Sequence, residues 1–117
     1  MTTSRTIVLN VVTGATDNLV GAVTVAGRVA EVARSRGARL EVFIFAAAQR
    51  ALTDPGKTVF NEGVDTLVSG GVPVSACTNF ARKLGAEGDL LDRGIRLEPA
   101  RDAYLRFTLA GATVISL

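Results

Sequence analysis

The chain contains no histidine and no tryptophan, and cysteine occurs once, as Cys77. Without histidine, one chain cannot build a Ser-His-Asp triad, a Cys-His dyad or a histidine-ligated metal site. A single cysteine excludes an internal disulfide and a zinc site made of several cysteines. Any chemistry within one chain must therefore proceed without an imidazole base that titrates near neutral pH, unless a partner supplies one.

Strong charge and long apolar runs are also missing. The formal net charge is +2, and the thirteen basic residues are spread along the chain without a basic run. This pattern predicts no direct contact with nucleic acid. The longest strongly apolar segment, residues 42–48, is far shorter than the roughly 20 residues of a membrane span. Because the first residues also lack a cleavable signal pattern, we expect a cytoplasmic protein that has no membrane partner.

Glycine-rich phosphate-binding motifs are absent as well. The segment "GATDNLVG" at 14–21 has no Gly-Lys-Ser/Thr ending, and no Gly-x-Gly-x-x-Gly occurs. The carboxylates are scattered along the sequence, which gives no paired acid and base and no metal cluster. The sequence therefore predicts neither a metal nor a cofactor.

The residues that are abundant indicate the fold class. Valine, alanine, leucine and isoleucine dominate, with only five phenylalanines and one tyrosine, as suits a parallel sheet covered by helices. Dense β-branched segments predict strands at 5–12, 38–45, 72–76, 95–99 and 112–117. Helices are predicted at 18–36, 46–52, 59–70, 77–85 and 99–110, and a loop with room for one helical turn at 86–94. This alternation predicts one α/β domain over residues 1–117, with a mostly parallel sheet.

Cys77 is placed where the third predicted strand passes into a helix. In open α/β sheets, ligands bind outside the carboxyl ends of the strands, and Cys77 falls at that edge. The free N–H groups and the positive end of the helix would favour its thiolate, and a thiolate can attack sulfur or a disulfide without a histidine base. The alternative is that Cys77 only fills space, because free cysteine is among the most buried residue types.

Several polar residues are candidates for the surroundings of this thiol. Asn79 could cap the turn or donate to a bound anion, and Arg82 would add positive potential. Asp17 or Asn18 can cap the helix at 18–36, and because this helix starts at the same sheet edge as Cys77, the two residues either line the pocket of the thiol or act only as caps. The predicted site therefore has Cys77 as its catalytic residue, and its supporting residues are Thr78, Asn79, Arg82, Asp17 and Asn18.

The segment "GGVPVSACTNFARKLGAEGDLLDRGIRLEP" resembles the DsrE/DsrF-like proteins, which include YchN-like and TusD-like members. At this point the family has a strand that ends in Cys, then x-Asn-x-Ala, a glycine several residues on, an acidic-Leu-Leu turn and the next strand. The likeness extends over nearly the whole chain, through "IVLNVVTGATDN" and "LEVFIFAAAQRAL". It implies a three-layer α/β/α sandwich with a five-stranded parallel sheet.

The resemblance also implies a function. Several members carry sulfur as a persulfide on the cysteine at this position and relay it in tRNA thiolation or sulfur oxidation. That role transfers to Cys77 alone, although Asn79 also matches the motif. We therefore expect a sulfur-carrier or sulfurtransferase subunit that takes sulfane sulfur on Cys77 and passes it to a partner thiol. Since the chain has no second cysteine, the sulfur donor and the acceptor must be other proteins.

Two alternatives remain open. The first is a non-enzymatic oligomeric binding module, in which Cys77 is inert and a pocket at the same sheet edge holds a small anion or a nucleotide-like ligand. The second is an enzyme of unrelated chemistry on this fold, which would use Cys77 or carboxylates of the pocket. Rapid alkylation of Cys77 distinguishes a sulfur carrier from an inert binding module.

The sequence also predicts a homo-oligomer. The helix at 18–36 contains "LVGAVTVAG", which is apolar on every side. One face can pack on the sheet, whereas the face with Val20, Val23, Thr24 and Gly27 would meet water in a monomer. Exposed apolar area on that scale usually marks an interface, and members of the family form dimers, trimers and hexamers. We expect a homotrimer or a hexamer, with a dimer next.

Overall fold

Five parallel strands form the centre of the fold. The structure, a computed structural model, describes residues 5–117. The strands are β1 (Arg5–Val11), β2 (Ala38–Ile44), β3 (Val74–Cys77), β4 (Arg96–Glu98) and β5 (Thr113–Ser116). Across the sheet they run β4-β3-β2-β1-β5, and each neighbouring pair is parallel. The predicted α/β class with a five-stranded parallel sheet is confirmed.

Helices cover the two faces of this sheet in unequal numbers. They are α1 (Thr16–Ala33), α2 (Ala46–Ala51), α3 (Thr58–Ser69), α4 (Thr78–Lys83), α5 (Glu87–Asp92) and α6 (Ala100–Leu109). The buried side chains of α1 to α5 pack on one face, and those of α6 pack on the other. This is the expected three-layer arrangement. No helix within residues 5–117 is long and apolar enough to cross a membrane.

Strand residues alternate between the two faces, because successive side chains of a strand point in opposite directions. On β1, Leu9 belongs to the larger core under α1, whereas Val8 belongs to the smaller core under α6. On β3, Ala76 belongs to the larger core and Cys77 to the smaller one. A single step along β3 therefore decides which layer covers the cysteine.

Two details differ from the sequence-based expectations. The Leu19 amide already donates to the Ala15 carbonyl at 3.0 Å, so that α1 begins at Thr16 and Asp17 lies inside its first turn. Ala15 precedes the helix and no side chain caps it, so the prediction that Asp17 or Asn18 is the cap is wrong. The segment 86–94, predicted to be mainly a loop, contains α5.

The helices α1 and α3 pack side by side through a glycine. A Cβ added at Gly63 of α3 would stand 2.7 Å from the Cβ of Val23 on α1. Glycine in a helix interior normally costs stability, and this close approach explains its presence. It also corrects the expectation that Val23 faces water in a monomer, because Val23 packs against the larger core. The exposed apolar area of α1 belongs instead to Val25 and Val32.

This packing predicts opposite effects for the same substitution at two glycines. Gly63→Ala should destabilise the protein by about 1–3 kcal/mol, because Val23 cannot withdraw without moving α1. Gly21→Ala in α1 meets no atom within 4 Å and should stabilise by about 0.5–1 kcal/mol through helix propensity. Urea unfolding of both variants measures the difference. Equal stability of the two would contradict the close contact between the helices.

Candidate functional site

Cys77 lies at the carboxyl edge of the sheet. It is the last residue of β3, and α4 begins at the next residue. Its side chain is only 4% exposed and belongs to the smaller core together with Phe43, Ala103 and Phe107. The strand-to-helix position expected from the sequence is therefore present, but the thiol is enclosed under α6.

The main chain of Cys77 is held by Gln49, the only glutamine in the chain. The Cys77 N–H donates to Gln49 Oε1 at 3.0 Å, and Gln49 Nε2 donates to the Cys77 carbonyl oxygen at 2.9 Å. Gln49 is fully buried in α2, so both bonds are shielded from water. Together they fix the strand-to-helix turn against α2. Gln49 is not among the residues that the sequence predicts, although a polar residue in the apolar helix "AAAQRA" signals a buried partner.

Aromatic rings enclose the space around the thiol. The ring of Phe43 packs edge-on against Tyr104 at 5.5 Å between centroids, and Phe45 packs similarly against Phe80 at 6.0 Å. Phe80 and Tyr104 are half-buried and form the outer wall of the smaller core. The Arg50 guanidinium lies over the ring of Phe80, 5.5 Å from its centroid. Any reactant that reaches Cys77 must therefore displace part of this wall.

A short chain of hydrogen bonds runs beside Cys77. The Tyr104 hydroxyl donates to Asn10 Oδ1 at 3.1 Å, and Asn10 Nδ2 donates to the Ser116 hydroxyl at 3.1 Å. Burial raises the pKa of Tyr104, and negative charge on Cys77 raises it further. Tyr104 is therefore a neutral donor close to the thiol. Of the residues in this hydrogen-bond network, only Asn10 stands out in the sequence, because it is a polar residue within the apolar strand "IVLNVV".

The predicted supporting residues on α4 differ in how they are placed relative to Cys77. Thr78 is half-buried and Asn79 is exposed, and no side chain caps the start of α4. The exposed Arg82 pairs with Glu87 at 3.3 Å, in the last turn of the helix. Thr78 and Asn79 thus remain neighbours of Cys77, whereas Arg82 is directed to α5.

Asp17 and Asn18 do not join Cys77. Both are exposed in the first turn of α1, and α1 packs on the sheet face opposite to the thiol. At this end of α1, Lys57 Nζ donates to the Thr16 hydroxyl at 2.6 Å and ties the loop before α3 to the helix. The shared sheet edge was inferred correctly, but the two sides of the sheet separate these residues from the cysteine.

Two clefts open elsewhere on the surface, and neither is lined by Cys77. One of about 440 Å³ between α3 and α5 is lined by one arginine and four carboxylates: Arg93, Asp54, Glu62, Asp65 and Asp89. A larger one of about 840 Å³ lies at the amino ends of the strands, and its charged lining is Arg34, Arg39, Arg96, Arg106, Glu31 and Glu41. In the described part of the chain, no three cysteine or carboxylate side chains are grouped to hold a metal ion.

The fold is similar to solved structures of proteins of unknown function. BT1422, a conserved protein from Bacteroides thetaiotaomicron, superposes with a TM-score of 0.79 at 11% identity, over 96% of this chain and 94% of its own. MTH1491 from Methanobacterium thermoautotrophicum gives a TM-score of 0.77 at 19% identity, over 96% of this chain and 98% of its own. At such identities the likeness shows the fold alone. No family model and no curated protein matches the chain.

The amide of Gln49 should be a strong determinant of stability. Gln49→Met keeps the shape of the side chain but leaves the N–H and the carbonyl of Cys77 buried without partners. We expect a loss of about 2–4 kcal/mol, because each unpaired buried group costs about 1–3 kcal/mol. The control is Arg50→Met at the exposed neighbouring residue. It should lower the stability of the protein by at most about 1 kcal/mol, the energy of the cation–π contact. Similar urea midpoints for the two variants would contradict the proposed weight of the Gln49 bonds.

The raised pKa of Tyr104 should appear in the alkaline stability of the protein. Because the folded state holds the phenolic proton more tightly than the unfolded state, this stabilisation is complete below the unfolded pKa of 10.0. It is lost as pH rises from there through the folded pKa. Tyrosinate absorbance reports on Tyr104 alone, since it is the only tyrosine. Tyr104→Phe should abolish the corresponding slope of unfolding free energy against pH, and an unchanged slope would rule out this assignment.

Proposed function

We propose that the protein is a sulfur-carrier subunit that uses Cys77. The Cys77 thiolate attacks the outer sulfur of a donor persulfide, forms a new S–S bond and releases the donor as a thiolate. An acceptor thiolate on a partner protein then attacks the outer sulfur of the Cys77 persulfide and regenerates the Cys77 thiolate. Each step exchanges one S–S bond for another, so neither an oxidant nor a histidine base is required.

The position of Cys77 is the observation that supports this proposal. It ends a parallel strand at the carboxyl edge, where α/β proteins bind their ligands. The paired hydrogen bonds of Gln49 hold its main chain, so the backbone that carries the thiol has a fixed place. The resemblance of "VSACTNFA" to the DsrE/DsrF-like motif is the reason for proposing persulfide chemistry at this thiol.

Access to the thiol is controlled by Phe80 in this proposal. Phe80 belongs to the six-residue helix α4 and rests against Phe45 and under Arg50. Rotation of this one ring opens the outer wall without breaking a strand hydrogen bond. A docking donor would displace Phe80 and bring its persulfide to Cys77, and the wall would close over the loaded sulfur and exclude water.

Sulfur loading tests the proposal directly. Polysulfide should add the mass of one sulfur atom to the intact wild-type protein and none to Cys77→Ala, measured by mass spectrometry after excess reagent is removed. Phe80→Ala should load faster than wild type, whereas Val59→Ala, at an exposed valine on α3, should load at the wild-type rate. Equal loading of wild type and Cys77→Ala, or no loading of either, would exclude the carrier.

The binding module is a second candidate, because the 4% exposure of Cys77 is that of an inert structural thiol. Under this hypothesis iodoacetamide labels Cys77 only after unfolding in urea, and polysulfide leaves the folded protein unchanged. The acidic cleft beside Arg93 does not suit an anion, since four carboxylates face one arginine that is already paired with Asp65 at 2.9 Å. A ligand bound in this particular cleft would therefore be neutral or cationic.

A further inference from the structure

The strand β5 is unusually exposed for a strand of a parallel sheet. All four of its residues are exposed, including Val114 at 42% and Ile115 at 44%. Their register with Val8 and Leu9 places Val114 on the α6 side of the sheet and Ile115 on the α1 side. Parallel sheets are normally covered on both faces. Because Val114 and Ile115 are both exposed, β5 lacks this cover on each face.

The outer edge of β5 is also open. Within residues 5–117, β5 pairs with β1 alone and ends the sheet. Natural proteins protect such edges with charged residues, proline, bulges or very short strands. The opposite edge has this protection, since β4 has only three residues and two of them, Arg96 and Glu98, are charged. The sequence "TVIS" of β5 contains no charge and no proline.

The hydrogen bonds at the end of β5 reveal which groups point outward. The Leu117 N–H donates to the Asn10 carbonyl, and the Leu117 carbonyl accepts from Val12, at 2.9 and 3.0 Å. Because the N–H and the carbonyl of one strand residue point to the same side and neighbours alternate, Ile115 also faces β1. Val114 and Ser116 therefore direct their N–H and carbonyl groups away from the sheet, where another strand can pair with them.

Apolar side chains of α1 extend this edge on one face of the sheet. Val25 and Val32, seven residues apart on one side of α1, are 43% and 39% exposed. They point away from Val23, which packs on Gly63 of α3, and so lie on the flank of α1 that does not face α3. The nearby Arg28 is neutralised by Glu31 at 3.5 Å. This surface offers no net charge that would repel an identical copy.

We infer that a second copy of the chain docks on β5 about a two-fold axis perpendicular to the sheet. The two β5 strands run antiparallel, and the dyad passes beside Ile115. Val114 then pairs with Ser116 of the second copy, and each pair exchanges two main-chain hydrogen bonds. The sheet continues over ten strands, and the α1 flanks with Val25 and Val32 lie on the same face, on either side of the two-fold axis. A four-residue strand that is uncharged on a symmetric edge fits its own copy, as isologous contacts require.

The proposal predicts an assembly with an even number of chains. Sedimentation equilibrium of the full chain at about 100 µM should give twice the mass of one chain, or a larger even multiple. Val114→Pro removes the outward N–H and should halve that mass. It should leave the fold intact, because proline is tolerated on an edge strand where its N–H bonds to no neighbour. The β5 contact does not involve Cys77, so a protein that takes up no sulfur can still form this dimer.

A charge substitution provides the second variant in case Val114→Pro perturbs folding. Val114→Lys places two ammonium groups at the contact and should also halve the mass, whereas Val59→Lys, at an exposed valine of α3, should leave it unchanged. Circular dichroism and the urea midpoint identify folded variants. A monomeric or trimeric wild type, or a folded Val114→Lys protein with the wild-type mass, would overturn the proposal. The trimer expected from the sequence is compatible with the β5 contact only if two trimers join into a hexamer.

Discussion

On the sheet face that carries Cys77, α6 is the one described helix that packs along the strands. A helix with its side chains is about 10–12 Å wide, whereas the five strands span about 19 Å across the sheet. A single helix cannot cover that face with small side chains. Large rings fill the centre under α6, and the salt bridges of Arg106 with Glu41 at 2.6 Å and Glu98 at 2.9 Å close the side toward β4. The guanidinium also stacks on Phe107, 4.8 Å from the ring centroid.

The surroundings of Cys77 follow from this incomplete cover. On the α6 side, aromatic rings occupy the space that a second helix would have filled, and they enclose the sulfur. From the other direction, Gln49 reaches from α2 to the main chain of the same residue. The sulfur is therefore enclosed by side chains that can rotate, while its backbone is fixed by bonds that cannot shift without moving α2. Under the proposed function, this combination of a fixed backbone and a movable aromatic wall makes the rate of sulfur loading depend on movement of the wall.

Incomplete cover on both faces of the sheet leaves β5 open at the far edge. Hydrogen bonds through Asn10 and Ser116 join β5 to β1 and to Tyr104 on α6, but they do not bury Val114 or Ile115. The apolar area that the sequence assigns to α1 as a whole is thereby concentrated on one flank of that helix and on the neighbouring edge of the sheet. Close packing against Gly63 uses the other flank within the chain.

Hydrophobic periodicity determined the order of strands and helices, the parallel sheet and the position of Cys77 at its carboxyl edge, because these depend on patterns of neighbouring residues. Only the tertiary structure decided that the thiol is buried, that Gln49 holds its backbone, and that Asp17 and Asn18 lie across the sheet from it. It likewise decided that Val23 is covered while Val25 is exposed. These outcomes depend on strand order and on the path of each crossover, which bring together side chains such as Asn10 and Tyr104, 94 positions apart. No local pattern of the sequence records such a contact, because the energy that favours it comes from packing between distant elements.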